Sequence, residues 1–105
     1  MDIDAMRKAA ARAGAMLRIL GNEDRLLLLC RLSQGEMAVS ELAQALDIRQ
    51  PTLSQQLGVL REEGLVSTRR AGKQIYYAVA DAKALALLHT LYQLYCPQPE
   101  NRDDH

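Results

Sequence analysis

The chain has 105 residues, two cysteines, and thirteen acidic against thirteen basic side chains, so its formal net charge is zero. That length makes one domain around one core, small enough that pairing with a second copy would add useful buried surface. No apolar run reaches membrane-spanning length, the opening Met-Asp-Ile-Asp lacks the basic and then apolar order of a secretory signal, and no phosphate loop, nucleophile elbow or clustered Cys/His/Asp set appears. A cytoplasmic, non-enzymatic protein with neither cofactor nor metal ion and no membrane partner is expected.

The first predicted helix covers residues 4 to 20. Met6, Ala9, Ala13, Met16 and Leu20 recur at alternating steps of three and four, with Arg7, Lys8, Arg12 and Arg18 elsewhere around it. A narrow seam of small residues suits close pairing with another helix. Asn22 then caps a second helix whose first turn holds Glu23 and Asp24, favourable at the positive end of the helix dipole. That helix continues through four leucines and Cys30 to about Ser33-Gln34-Gly35, and reads as the central core helix.

Residues 39 to 79 then run as two short helices, a tight turn and a basic hairpin, the order of a winged helix-turn-helix. Val39, Leu42, Ala43 and Leu46 share one face of the first of these helices, and Leu53, Leu57 and Leu60 share one face of the second. Between them Ile48 anchors the turn, Pro51 opens the second helix, and Gly64 stops it. The polar remainder of that helix is Gln50, Thr52, Ser54, Gln55 and Gln56, short donors and acceptors of the kind that read base edges in a major groove. The hairpin follows as Leu65 to Arg69 and Gln74 to Val79 around Arg70-Ala71-Gly72-Lys73. Arg69, Arg70 and Lys73 are expected to gather at its tip, where they would meet phosphates or a narrow minor groove. Charge is distributed to match: residues 49 to 74 carry five cations against Glu62 and Glu63, a net of +3, whereas residues 19 to 48 carry two arginines against five carboxylates, a net of −3.

The last helix, about 82 to 96, has two adjacent apolar stripes, Leu85, Leu88, Tyr92, Tyr95 and Ala84, Leu87, Leu91, Leu94. One small core does not cover both, so a homodimer through the first and last helices is expected. The fold class is thus mainly α with a β-hairpin wing: four helices, two strands and a fifth helix, the domain spanning residues 1–96. Residues 97–105 are polar, carry two prolines, and read as a disordered tail.

The run Leu20-Gly21-Asn22-Glu23-Asp24-Arg25-Leu26, then Val39-Ser40-Glu41-Leu42-Ala43, Gln50-Pro51-Thr52-Leu53-Ser54-Gln55-Gln56-Leu57 and Leu60-Arg61-Glu62-Glu63-Gly64-Leu65-Val66, resembles the ArsR/SmtB family of dimeric bacterial transcriptional regulators. The resemblance covers roughly residues 15 to 96. It implies a winged-helix dimer that binds an inverted repeat in double-stranded operator DNA and lets go when an inducer is sensed. Arg49 departs from the family pattern, which often has a serine there to cap the recognition helix.

Metal-sensing members carry a Cys-Val-Cys segment where this chain has Ala38 and Ser40, or an Asp-x-His set on the last helix where it has Asp81, Lys83, Leu94 and Pro97. Neither ligand set is present, and His89 and His105 are isolated. Leu29-Cys30-Arg31-Leu32 and Leu94-Tyr95-Cys96 instead resemble the persulfide- and redox-responsive branch that includes BigR, SqrR and HlyU. That resemblance implies a regulator that binds its operator while Cys30 and Cys96 are reduced and dissociates when reactive sulfur species or an oxidant joins them by a di- or polysulfide. From the residues alone, Cys30 after four leucines reads as a small buried core hydrophobe, whereas Cys96 at a helix end before Pro97 is expected to be partly accessible. Two other readings stay open at this point: a soft-metal sensor using both cysteines with a ligand from the partner subunit, and a winged-helix module that binds protein.

Overall fold

The computed structural model describes residues 2–96. Its elements run α1 (Ile3–Leu20), α2 (Glu23–Leu32), β1 (Met37–Ala38), α3 (Val39–Leu46), α4 (Gln50–Glu62), β2 (Val66–Ala71), β3 (Gln74–Val79) and α5 (Ala82–Tyr95). The five expected helices and the hairpin are present within a residue or two of the expected bounds. The expected tail at 97–105 lies outside the described residues. No helix among the described residues is long and apolar enough to cross a membrane.

Local chemistry accounts for the helix ends. The Asn22 side chain accepts the backbone N–H of Arg25 at 3.0 Å and so caps α2, and Asp81 accepts that of Ala84 at 2.9 Å to cap α5. The start of α3 is secured from the other side: the Glu41 carboxylate accepts the Ala38 N–H at 2.9 Å. Asp47, at φ 55, is the left-handed residue that ends α3 and turns the chain toward α4. α4 begins on Arg49 without a side-chain cap, and Pro51 in its first turn lacks the N–H that would otherwise need a partner.

The strand missing from the sequence reading is β1. It pairs antiparallel with β3, with Met37 opposite Tyr77 and Ala38 opposite Tyr76, giving a three-stranded sheet in the order β1-β3-β2. Two residues between a glycine turn and a helix cap are too few for an alternation pattern to register. The core is leucine: Leu28 and Leu29 of α2, Leu42 of α3, Leu53, Leu57 and Leu60 of α4, and Leu88 of α5 are all at most 1% exposed. The apolar faces expected for α3 and α4 thus pack against one another and against α2, which forces the other face of α4 outward.

Candidate nucleic-acid interface and thiol cleft

With Leu53, Leu57 and Leu60 turned inward, Gln50, Thr52, Ser54 and Gln55 are exposed along α4. Gln56 departs from the expected reading set. It is half-buried, and its Oε1 accepts a hydrogen bond from Arg25 Nη1 at 3.3 Å, while Arg25 Nε donates to the Ile19 carbonyl at 2.8 Å. One guanidinium therefore ties the α1–α2 corner to the inner flank of α4. Helical spacing explains the difference: Gln56 lies three residues after Leu53, next to the buried stripe.

The hairpin turn is tighter than expected. β2 continues to Ala71, which pairs with Gln74, and Gly72 at φ 64 takes the corner that a residue with a Cβ would resist. Arg70 and Lys73 are exposed beside this turn. Arg69 is not part of the tip. It sits on β2 opposite Tyr76, its guanidinium 4.8 Å over that ring, and reaches across the sheet to Glu36, donating from Nε to both carboxylate oxygens at 2.9 and 3.0 Å and from Nη2 to Oε1. Hydrogen bonding to Arg69 holds the Glu36 carboxyl below its usual range, and the same bond raises Arg69. The expected three-cation tip is accordingly two cations, with the third closing the sheet on its outer face. No signal along the sequence marks the Glu36–Arg69 pair, since it depends on β1 lying beside β3.

Cys30, near the end of α2, and Cys96, at the C-cap of α5, line one cleft of about 410 Å³ between the two helices. Leu26, Leu27, Leu91, Tyr92 and Tyr95 form its apolar wall, and Glu23 and Asp24 complete the lining. Both cysteines are half-buried. Burial pushes the Cys30 thiol up, and the negative charge of a Cys96 thiolate pushes it further in the same direction. The two sulfurs are therefore within electrostatic reach of one another. No group of three or more His, Cys, Asp or Glu among the described residues is placed to hold a metal ion. His89 is exposed, beside Ser33, Gln34 and Tyr92, and His105 lies outside the described residues.

The outer helices leave apolar surface uncovered. Every residue of α1 from Ile3 to Ala13 is exposed, and the radius of gyration is 15.8 Å. A compact domain of this length would measure about 13 Å. A groove of about 460 Å³ separates α1 from α5, lined by Ala9, Ala13, Met16, Ala86 and Leu87 with Arg12 and Lys83 at its edges. Leu94 and Tyr95 are 69% and 80% exposed. Leu88, expected on an interface stripe, instead faces the core of the single chain at 0%.

Comparison with known proteins agrees with this architecture. The model of a family described as bacterial regulatory protein, arsR family, matches residues 22–68. The biofilm growth-associated repressor of Agrobacterium fabrum is 52% identical over 99 residues, spanning 94% of this chain and 85% of that protein. The crystal structure of the transcriptional repressor BigR from Xylella fastidiosa superposes with a TM-score of 0.83 at 49% identity, covering 93% of this chain and all of that one. The transcriptional regulator HlyU from Vibrio vulnificus superposes with a TM-score of 0.88 at 38% identity, over 91% of this chain and 100% of that one.

Proposed function

Because the chain belongs to the ArsR family of bacterial regulatory proteins, we propose that it is a dimeric repressor that holds an operator while Cys30 and Cys96 are reduced and releases it when they are bridged. The family and these relatives are transcriptional regulators, not enzymes. Repression is favoured over activation because the 52% identical relative is named a repressor.

The observation that supports the switch is the shared cleft: two thiols far apart in sequence both line it between α2 and α5. Reactive sulfur species or an oxidant then acts in two steps. Cys96 attacks first, because burial keeps Cys30 protonated, and Cys30 resolves the adduct to a disulfide or polysulfide. The bridge fastens the end of α5 to α2. α5 also borders the groove where a second copy is proposed to dock, and α2 is joined to α4 through Arg25 and Gln56. Bridging therefore bears on both the dimer seam and the recognition helix, which changes the spacing of the two reading heads. In the DNA-bound state Gln50, Thr52, Ser54 and Gln55 read bases, while Arg70 and Lys73 of the wing take phosphates.

The test is operator binding followed by fluorescence anisotropy, with the protein's mass measured in parallel. The reduced wild type binds, persulfide treatment releases it and adds bridging sulfur within one chain, and Cys30→Ser and Cys96→Ser each bind DNA but do not respond. A full response by either single variant refutes the dithiol mechanism.

A further inference from the structure

The lining of the thiol cleft has a charge preference that the dithiol chemistry alone does not require. Leu26, Leu27, Leu91, Tyr92 and Tyr95 supply apolar surface, and the only charged side chains among the described lining residues are Glu23 and Asp24. Asp24 is half-buried and Glu23 exposed, both on the first turn of α2, nearly two turns before Cys30. Among the described residues no arginine or lysine lines the cleft to receive a carboxylate. Its volume of about 410 Å³ accommodates a small organic molecule.

We propose that this cleft selects uncharged, apolar sulfane-sulfur donors, dialkyl trisulfides and their longer homologues, and disfavours donors that carry carboxylates. The inference rests on the dithiol reading above and assigns that site its class of reactant. For a trisulfide R–S–S–S–R, the Cys96 thiolate attacks the central sulfur and breaks one S–S bond, releasing one thiolate RS⁻ and leaving a mixed trisulfide Cys96–S–S–S–R. Cys30, losing its proton, attacks the former central sulfur and expels the second RS⁻, leaving Cys96 and Cys30 joined through one extra sulfur. The leaving thiolates take up the two protons lost by the cysteines. The cysteine pair is oxidised by two electrons and the donor is reduced to two thiols, so no other oxidant is needed.

The apolar wall holds the alkyl groups, and the two carboxylates repel an anionic donor before either sulfur is reached. With charges about 8 Å apart in water, two carboxylates acting on a dianionic donor slow its approach roughly three- to fourfold at physiological ionic strength and roughly tenfold or more near 0.01 M salt.

The experiment uses the reduced full chain and a matched pair of probes, the trisulfide of 3-mercaptopropionate, a dianion, and the trisulfide of its methyl ester, which is neutral. Bridging rates are read by mass spectrometry and divided by each probe's rate with a small free thiol. The neutral probe is expected to bridge Cys30 and Cys96 several-fold faster, with the ratio falling toward one both in high salt and in the Glu23→Gln/Asp24→Asn variant. Asn22 still caps α2 in that variant, and the salt series on the wild type is independent of it. If both probes form the bridge at equal normalised rates, or the ratio ignores both salt and the substitutions, the charge selection is wrong and the dithiol switch stands. If neither probe forms the bridge, the dithiol reading falls and takes this inference with it.

Discussion

Gln56 separates a residue that reads DNA from one that holds the reader, and truncating it distinguishes the two. In Gln56→Ala the half-buried Arg25 guanidinium keeps its 2.8 Å bond to the Ile19 carbonyl and loses the 3.3 Å bond to the amide. Hydrogen bonds to charged groups contribute about 1.5–3 kcal/mol, and the long distance together with partial access of water to Arg25 places this one near or below the bottom of that range, about 1 kcal/mol. For a domain of this size that corresponds to a fall in Tm of roughly 4–8 °C, measured at one fixed protein concentration because association would otherwise shift the midpoint. Urea unfolding of Gln56→Ala, Arg25→Ala and the double variant closes a cycle whose interaction energy should be about 1 kcal/mol. Operator and random DNA should both be bound slightly more weakly, without the sequence-dependent gap expected of a base contact. An unmoved urea midpoint combined with a loss of about 1–3 kcal/mol on the operator alone would show that Gln56 reads bases and that its bond to Arg25 is incidental.

Gln55→Ala should lose about 1–3 kcal/mol at the operator and much less on random DNA, measured by competition binding; equal losses would remove it from base readout. Arg70→Gln should reduce the slope of log K against log salt by about one, whereas Arg69→Gln, whose guanidinium is already held by Glu36, should leave it nearly unchanged; a full unit lost at Arg69 would mean that DNA displaces Glu36. Leu87→Glu, at the lip of the α1–α5 groove, should yield a folded monomer by sedimentation, while a charge at the fully buried Leu88 should unfold the chain; an unchanged dimer with Leu87→Glu would move the interface elsewhere. Alkylation of Cys30 by iodoacetamide should reach half its maximal rate at a higher pH than an ordinary thiol does, and Cys96→Ser should lower that midpoint without removing the whole shift, because burial is the larger cause and remains. The sign for stability follows: the folded state resists ionising Cys30, so this contribution is intact at neutral pH and is lost as pH rises through the raised thiol value.

What could be read along the chain was what repeats at helical or strand spacing. Leu42 of α3 and the stripe Leu53, Leu57, Leu60 lie at the steps that put side chains on one face, so the core and, by subtraction, the exposed row from Gln50 to Gln55 follow from local periodicity alone. The side chains that position this row obey no such rule. Gln56 has the same polarity as Gln55 and differs only in standing beside the stripe, where Arg25 from another helix can reach it. Arg69 has the same charge as Arg70, but successive residues of a strand point to opposite faces, and only the presence of β1 puts Glu36 on the face that Arg69 takes. The cysteines show the same limit from the other side. A leucine-rich flank made Cys30 a credible core residue and a helix end made Cys96 accessible, yet neither context states that α5 returns its last turn to α2. Leu88, on the same stripe of α5 as Tyr92 and Tyr95, is fully buried in the core, and the two turns that follow it carry Tyr92, Tyr95 and Cys96 to the cleft beside α2. The proposed thiol switch therefore depends on core packing as much as on the thiols, and Leu88→Ala, which leaves a cavity under α5 with Cys30 and Cys96 intact, should slow bridging, read by mass spectrometry, before it weakens operator binding.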